Sequence, residues 1–228
     1  MLKQEKFSII IPSLNEEQGL NSILATMPRF IDEIVVVDNL STDKSVETAK
    51  TYGAKVIIEK TQGYGRVLLR GLEYITGDVV IIMDGDGSYG TESLEGLCFF
   101  MQNNEYDFVS GCRFPLDNPE SMPFINRFAN YFISWAVRII YKIDLKDSQS
   151  GLMIFRKNIL GKINVFNPGM GFSQEIKVKA WLNNGIICGE KNISYHKRLG
   201  TVKFRKIRDG YRILFDIFRL FSELKNKI

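Results

Sequence analysis

The chain has 228 residues, 45% of them hydrophobic and 25% charged, with a formal net charge of +4. That is enough for one α/β domain with a full core, and it excludes a disordered chain. Cys98, Cys112 and Cys188 are widely spaced and odd in number, so neither a zinc pattern nor a disulfide framework is expected, and the compartment reads as reducing.

A single histidine, His196, argues against a His-rich metal centre and a Ser-His-Asp triad. Met1 to Lys6 contains no apolar signal segment. No uninterrupted apolar run reaches bilayer-spanning length; the longest candidate, Phe128 to Val137, is bounded by Arg127 and Arg138. Basic residues concentrate between Lys197 and Lys227.

The first half alternates strand and helix signals. Phe7 to Ile11 is an apolar strand stopped by Pro12, and a polar loop from Ser13 to Gly19 leads into a helical pattern through Met27. Glu33 to Asp38 is a second strand, and Ser41-Thr42-Asp43 caps the helix after it. Ala54 to Ile58 is a third strand, and Gly63-Tyr64-Gly65 opens a helix from Arg66 to Tyr74. The fourth strand, Asp78 to Met83, ends in Asp84-Gly85-Asp86-Gly87.

Further on, Asp107 to Arg113, Gly151 to Arg156 and Ile193 to Tyr195 read as strands. Phe124 to Tyr141, Glu175 to Asn183 and Asp209 to Lys225 read as helices. The alternation predicts a mostly parallel sheet with helices on both faces, in one domain. Ligands of such sheets bind past the carboxyl ends of the strands, where Pro12, Asp38 and Asp84 all fall.

Asp84 and Asp86 follow a wholly apolar strand, and hard divalent ions take one or two carboxylates plus phosphate oxygens. The same residues also suit a solvated turn. Asp38 can accept the imide N–H of uracil or the N1–H of guanine, or serve as a loop cap. Gly63-Tyr64-Gly65 lacks the full dinucleotide fingerprint, and no phosphate loop occurs anywhere in the chain.

Together these segments carry a resemblance. Ile9 to Glu17, Val35 to Asp43, Gly63-Tyr64-Gly65 and Met83 to Asp86 resemble the ordered motif series of family 2 glycosyltransferases. Gly111-Cys112-Arg113, Asp147 to Gly151 and Tyr195 to Thr201 continue it, and are similar to the polyprenyl-phosphate sugar synthases, best known from dolichol-phosphate mannose synthase.

The resemblance implies a GT-A, Rossmann-like fold that binds a nucleotide sugar and inverts the anomeric carbon. It implies a nucleotide-binding half over residues 1–112, an acceptor half over 113–200 and a basic amphipathic tail over 201–228. Pro12, Leu14, Glu16, Asp38 and Gly65 would hold the nucleoside. Asp84, Asp86 and Ser88 would serve Mg2+ or Mn2+ and the diphosphate. Arg113, Arg127 and Arg198 would bind phosphates, and Ser150 with Gly151 would shape the acceptor side. Asp86, Arg113 and Asp147 are the expected catalytic residues. Leu14 replaces the usual aromatic, Asn39 the usual second Asp, and Ser88 a common Gln; the usual helix arginine is displaced to Arg70.

The implied partners are a nucleotide-sugar donor (GDP-mannose, UDP-glucose or UDP-N-acetylglucosamine) and a polyprenyl or dolichyl phosphate acceptor. A lipid phosphate is already anionic and attacks without a base, whereas a glycan hydroxyl, the alternative acceptor, needs one, with Asp147 or Glu175 as candidates. Phe124 to Trp135 and the last helix, with the basic stretch Lys203 to Arg212, resemble interfacial helices. A cytoplasmic enzyme, peripheral on the cytoplasmic face of a membrane, is the corresponding expectation. A homodimer contact or a membrane partner subunit would also suit these faces. A nucleic-acid role finds no reader motif, and a nucleotidyltransferase would show a Gly-rich basic loop where Pro12 to Glu17 is acidic.

Overall fold

The computed structural model describes residues 5–201 and 206–225, with side chains described for 5–201 and 213–225. The side chains of the expected basic stretch Lys203 to Arg212, and Met1 to Gln4, lie outside that set. The elements are β1 (Phe7–Ser13), α1 (Glu17–Ala25), β2 (Glu33–Asp38), α2 (Ser45–Thr51), β3 (Lys55–Ile58), α3 (Tyr64–Leu72) and β4 (Val79–Ile82). They continue with α4 (Glu92–Asn103), β5 (Phe108–Cys112), α5 (Phe124–Tyr141), β6 (Met153–Arg156), α6 (Phe172–Leu182), β7 (Cys188–Asn192) and α7 (Lys206–Lys225).

One seven-stranded sheet has the order β3-β2-β1-β4-β6-β5-β7. β6 runs antiparallel to β4 and β5, and the other pairs are parallel. The central strands are buried on both faces, as parallel strands under helices must be, so they read as unbroken apolar runs. Alternate residues go to opposite layers. Ile9, Ile11 and Ile81 meet α1 and α4 through Leu20, Ile23, Leu94 and Leu97. Ile10, Val80 and Ile82 meet α3 and α6 through Val67, Leu68, Phe172 and Ile176. A third cluster joins α5 to α7, with Ile133, Val137 and Tyr141 against Ile213, Ile217 and Leu220.

The expected mostly parallel sheet with helices on both faces is present. Beyond end shifts of one or two residues, four elements differ from expectation, among them α6, which starts at Phe172 rather than Glu175. α4 was not anticipated, although Leu94, Leu97, Cys98 and Met101 stand at helical spacing. β7 is Cys188–Asn192 rather than Ile193 to Tyr195; as an edge strand it is short and polar and so carries little apolar signal. Tyr195 makes an isolated antiparallel bridge to Tyr89 instead. The C-terminal helix starts at Lys206, before the expected Asp209.

Phe155 is fully buried and stacks on Phe108 at 5.6 Å between ring centroids, where β6 meets β5. Phe155→Ala is expected to cost about 3–5 kcal/mol of unfolding free energy. Urea unfolding checks this; a loss under about 1 kcal/mol would show that the layer collapses around the cavity.

Candidate active site

The ladder between β1 and β4 runs one residue past β4, with Met83 N–H donating to the Ile10 carbonyl at 3.2 Å. The chain then leaves the sheet, so Asp84 and Asp86 start from a fully anchored point. The Asp86 Oδ1 accepts from the Ser88 backbone N–H at 2.9 Å and from its hydroxyl at 2.6 Å. Its Oδ2 lies 3.2 Å from Arg198 Nη1, and Arg198 Nη2 donates to Glu16. One guanidinium therefore spans carboxylates from two strand ends.

Asp84 Oδ1 accepts from the Tyr64 hydroxyl at 2.8 Å, and Oδ2 packs on the bare Cα of Gly151, where an added Cβ would come within 2.2 Å. Burial and then the neighbouring Asp86 push the Asp84 carboxyl up to about 6, against the pull of Tyr64, Arg113 and Arg198.

Beside this corner, β1 and β2 end together, with Ser13 in register with Asp38. Pro12 is buried and Leu14 half-buried above this edge. Asp38 is buried, and its carboxylate accepts from the Ser41 N–H at 2.9 Å and from the Ser41 hydroxyl. Asn39 donates to the carbonyls of Glu59 and Thr61 and accepts from Gly63 N–H at 3.1 Å, tying the second loop to the glycine turn. Gly65 is used by the chain itself: a Cβ there would fall 1.9 Å from the Asn167 carbonyl oxygen, and its N–H donates to Gly169.

Arg113 leaves the end of β5 and meets Asp147 in a buried bidentate pair, Nε to Oδ2 at 2.7 Å and Nη2 to Oδ1 at 2.8 Å. The guanidinium lies beside the rings of Phe114 and Tyr195, at 5.6 and 5.4 Å. Burial alone would raise the Asp147 carboxyl, but Arg113 and then Lys177 hold it below the usual 3.8. Glu175, the other candidate base, accepts from the Asn167 N–H at 2.9 Å and pairs with Lys179. His196 is exposed and shares a 2.7 Å hydrogen bond with Glu92.

The crevice thus brings together Glu16, Asp84, Asp86, Arg113, Asp147, Ser150 and Arg198. Ser88 is buried, and its hydroxyl holds Asp86. Ser150 is fully buried, with its carbonyl accepting from Lys177. Arg127 stands apart in the first turn of α5, with its guanidinium 5.3 Å from the Phe124 ring centroid and no ion pair among the described residues. Tyr64, Tyr89, Lys177 and Glu190 were not anticipated as parts of the site. Tyr64 lay within the glycine turn, and Tyr89, just past the acidic corner, turns out to accept from the Gly151 N–H at 2.7 Å.

Comparison with known proteins identifies this arrangement. The model for glycosyl transferase family 2 matches residues 8–164. The chain belongs to glycosyltransferase family 2. A dolichyl-phosphate hexose transferase of Haloferax volcanii is 29% identical to this glycosyltransferase over 212 residues, 92% of this chain and 91% of that one. The low-salt glycan biosynthesis hexosyltransferase Agl6 of the same organism is 28% identical over 212 residues, 90% of this chain. The chain spans about half of that relative's length, 51%. Glucosyl-3-phosphoglycerate synthase from Mycobacterium tuberculosis, solved with Mn2+, UDP and glucosyl-3-phosphoglycerate, superposes with a TM-score of 0.78 at 18% identity, over 96% of this chain and 81% of that one. That likeness shows the GT-A fold of the glycosyltransferase.

The glycosyltransferase's residues fit a divalent cation held jointly with a diphosphate. Among the described residues there is no group of three or more His, Cys, Asp or Glu side chains placed to enclose a metal alone. Two carboxylates sharing their ion with phosphate oxygens need no third. Asp86 already accepts the positive charge of Arg198, whose Nε is buried without a hydrogen-bond partner among the described residues. Positive charge and a further acceptor are what this corner lacks.

The Asp147 carboxyl titrates below its unfolded value, so its contribution to stability is complete above 3.8 and drains away as pH falls through the lower folded value. Asp147→Asn is expected to cost the glycosyltransferase about 3–5 kcal/mol at neutral pH, because it leaves Arg113 buried and uncompensated. The gap to wild type should narrow only below pH 3.8. Urea unfolding over a pH series measures it, and a gap that closed well above that value would assign the effect to another group.

Proposed function

We propose that this glycosyltransferase moves a hexose, with inversion, from a nucleoside diphosphate to the phosphate of a polyprenyl or dolichyl lipid, with Mg2+ or Mn2+ as cofactor. The observation that carries this reading is the state of the two carboxylates a hydroxyl acceptor would need as base. Asp147 is locked to Arg113 with a depressed pKa, and Glu175 is engaged by Asn167 and Lys179. An acceptor that arrives as an anion needs neither. The Haloferax relative named for dolichyl phosphate supports the same acceptor class.

Asp84 and Asp86 would hold the cation, which when bound withdraws charge from the departing diphosphate as a Lewis acid. Arg198, already bonded to Asp86 and Glu16, stands where it can turn to a phosphate oxygen once the carboxylates are neutralised. Asp38 and Glu16 face the nucleoside edge. Arg113, with two of its nitrogens fixed by Asp147, is pre-oriented and presents its remaining N–H groups to the acceptor phosphate at little entropic cost.

The lipid chain would leave past Phe114. A cavity of about 480 Å3 beside it is lined by Phe114, Pro115, Tyr131, Trp135, Arg138 and Lys146. Next to it α5 exposes Phe124, Ile125, Phe128, Phe132 and Trp135, and α7 exposes Phe215, Phe218 and Phe221. The inner faces of both helices are already packed together, and the outward side chains stay exposed although Phe221 meets Tyr141, Phe132 stacks on Trp135 and Phe124 lies under Arg127. No helix among the described residues is long and apolar enough to cross a membrane, and an interfacial seat for this face is the reading that suits it.

Incubation with GDP-mannose, UDP-glucose or UDP-N-acetylglucosamine, Mn2+ and a short polyprenyl phosphate should give one glycolipid, read by mass and released by mild acid. An acid-stable product would overturn the lipid-phosphate acceptor in favour of a hydroxyl. Asp86→Ala should lower turnover at least about a hundredfold with its circular dichroism unchanged. The full chain should float with anionic vesicles, less so as salt rises. Flotation indifferent to both charge and salt would remove the electrostatic part of the membrane reading.

A further inference from the structure

Lys177 is fully buried in α6, on a helix whose neighbouring residues Phe172, Ile176 and Val178 belong to the apolar core. An ammonium in such a place is costly unless its donors are used. Here Nζ donates to the carbonyl of Ser150 at 2.7 Å and to that of Asp147 at 3.2 Å. From the opposite side Glu190 of β7 accepts the backbone N–H groups of Lys146 at 2.6 Å and Asp147 at 3.0 Å. A carboxylate thus holds the peptides entering Asp147, and an ammonium holds the carbonyls leaving Asp147 and Ser150.

The turn stretched between these two charges reaches both halves of the site. At one end the Asp147 carboxylate grips Arg113. At the other, Gly151 abuts Asp84. Lys177 hydrogen-bonds neither the Arg113 guanidinium nor the acidic corner; Arg113 depends on the backbone it fixes through two bonds to Asp147, whereas Asp84 only packs against Gly151 and is held separately by the Tyr64 hydroxyl. A residue that merely filled space here would be apolar, as Ile176 and Val178 on either side of it are.

We propose that Lys177, opposed by Glu190, is a positioning residue that sets the Asp147–Gly151 turn and through it aims Arg113 at the acceptor. This rests on the reading of Arg113 as the receiver of the acceptor phosphate. A misplacement of about 1 Å at such a group costs up to roughly a hundredfold in rate.

The test compares wild type with Lys177→Met, Lys177→Gln and Glu190→Gln, using the full chain, the nucleotide sugar it accepts, Mn2+ and a short polyprenyl phosphate. Lys177→Met should raise the KM for the acceptor about tenfold or more, the scale expected for supporting hydrogen bonds behind a functional group. The affinity for UDP or GDP with Mn2+, read by calorimetry, should stay within about twofold. Lys177→Gln, whose amide reaches one of the two carbonyls, should recover part of the loss. A folded Lys177→Met with unchanged acceptor KM, or one losing donor and acceptor affinity equally, would overturn the assignment. If Lys177→Met does not fold, Lys177→Gln and Glu190→Gln decide the matter in the same way.

A second readout needs no substrate. The Arg113 Nε–H resonance, held by its bond to Asp147, should shift in the Lys177 variants, and an unmoved resonance would also overturn the proposal. Should the wild type prove to use a hydroxyl acceptor, the lipid-phosphate reading would fall on that result alone, while the Arg113 resonance would still decide the role of Lys177.

Discussion

The site exists because one strand runs backwards. β6 lies between β4 and β5 and opposes both, so its entry end, not its exit, stands beside the carboxyl ends of its neighbours. Ile82 and Ser110 both face Met153 in register. The residues just before Met153, Ser150 and Gly151, therefore arrive at the edge where Asp84 and Arg113 leave the sheet. A parallel strand of the same four residues would carry that loop away by about 13 Å. β7, parallel to β5, sends Tyr195 to Arg198 back past the same edge, where Leu199 N–H donates to the Asp86 carbonyl. Residues from the ends of β1, β4, β5, β6 and β7 thus share one crevice.

The charges gathered there fall into two kinds. Arg113, Asp147, Lys177 and Glu190 form a closed set, two positive and two negative, in which each carboxylate is covered by N–H donors and the Lys177 ammonium by carbonyls. Burial pulls Lys177 down to about 8 while Asp147 and Glu190 oppose it, so the ammonium remains charged near neutrality. Such a set holds shape, because removing any member strands another in low dielectric. Asp84 and Asp86 are the opposite case. Two carboxylates crowd each other, and burial and Asp86 push Asp84 up to about 6 against Tyr64, Arg113 and Arg198; Asp86 itself pairs with Arg198, a side chain on an exposed stretch that also serves Glu16. The closed set supports, and the open pair is left to receive.

Much of this was legible before the fold was known, for a physical reason. Strands buried on both faces must be apolar throughout, so Ile9 to Ile11, Val35 to Val37 and Val79 to Ile82 announce themselves, and polar residues just past them stand out. Asp38, Asp84 and Arg113 are all of that kind. What stayed hidden depends on direction and on company. The sense of β6 is not written in Met153 to Arg156, whose side chains are buried in either orientation. β7 is an edge strand of polar residues and offers no alternation. The sequence carries no signal that Lys177 is buried; only the packing shows that α6 turns it inward. From sequence Asp147 suits a base or a loop cap equally, and neither reading points to the Arg113 guanidinium that the fold brings against it.

The same buried pair bears on how the chemistry divides between protein and substrate. An enzyme acting on a hydroxyl must keep a carboxylate or imidazole hydrogen-bond-ready but unsaturated, at a pKa near the working pH. This chain spends Asp147 on fixing a guanidinium, Glu175 on fixing the segment around Asn167, and His196 on a surface contact with Glu92. Its investment is in cations of fixed direction, which suits an acceptor that carries its own negative charge. Arg113 has one side closed by Asp147 and lies next to the aromatic cavity at Phe114, with the exposed rings of α5 beyond. The proposed acceptor, with an anionic head and an apolar chain, would match that gradient from end to end, whereas a sugar hydroxyl would use only the head of it.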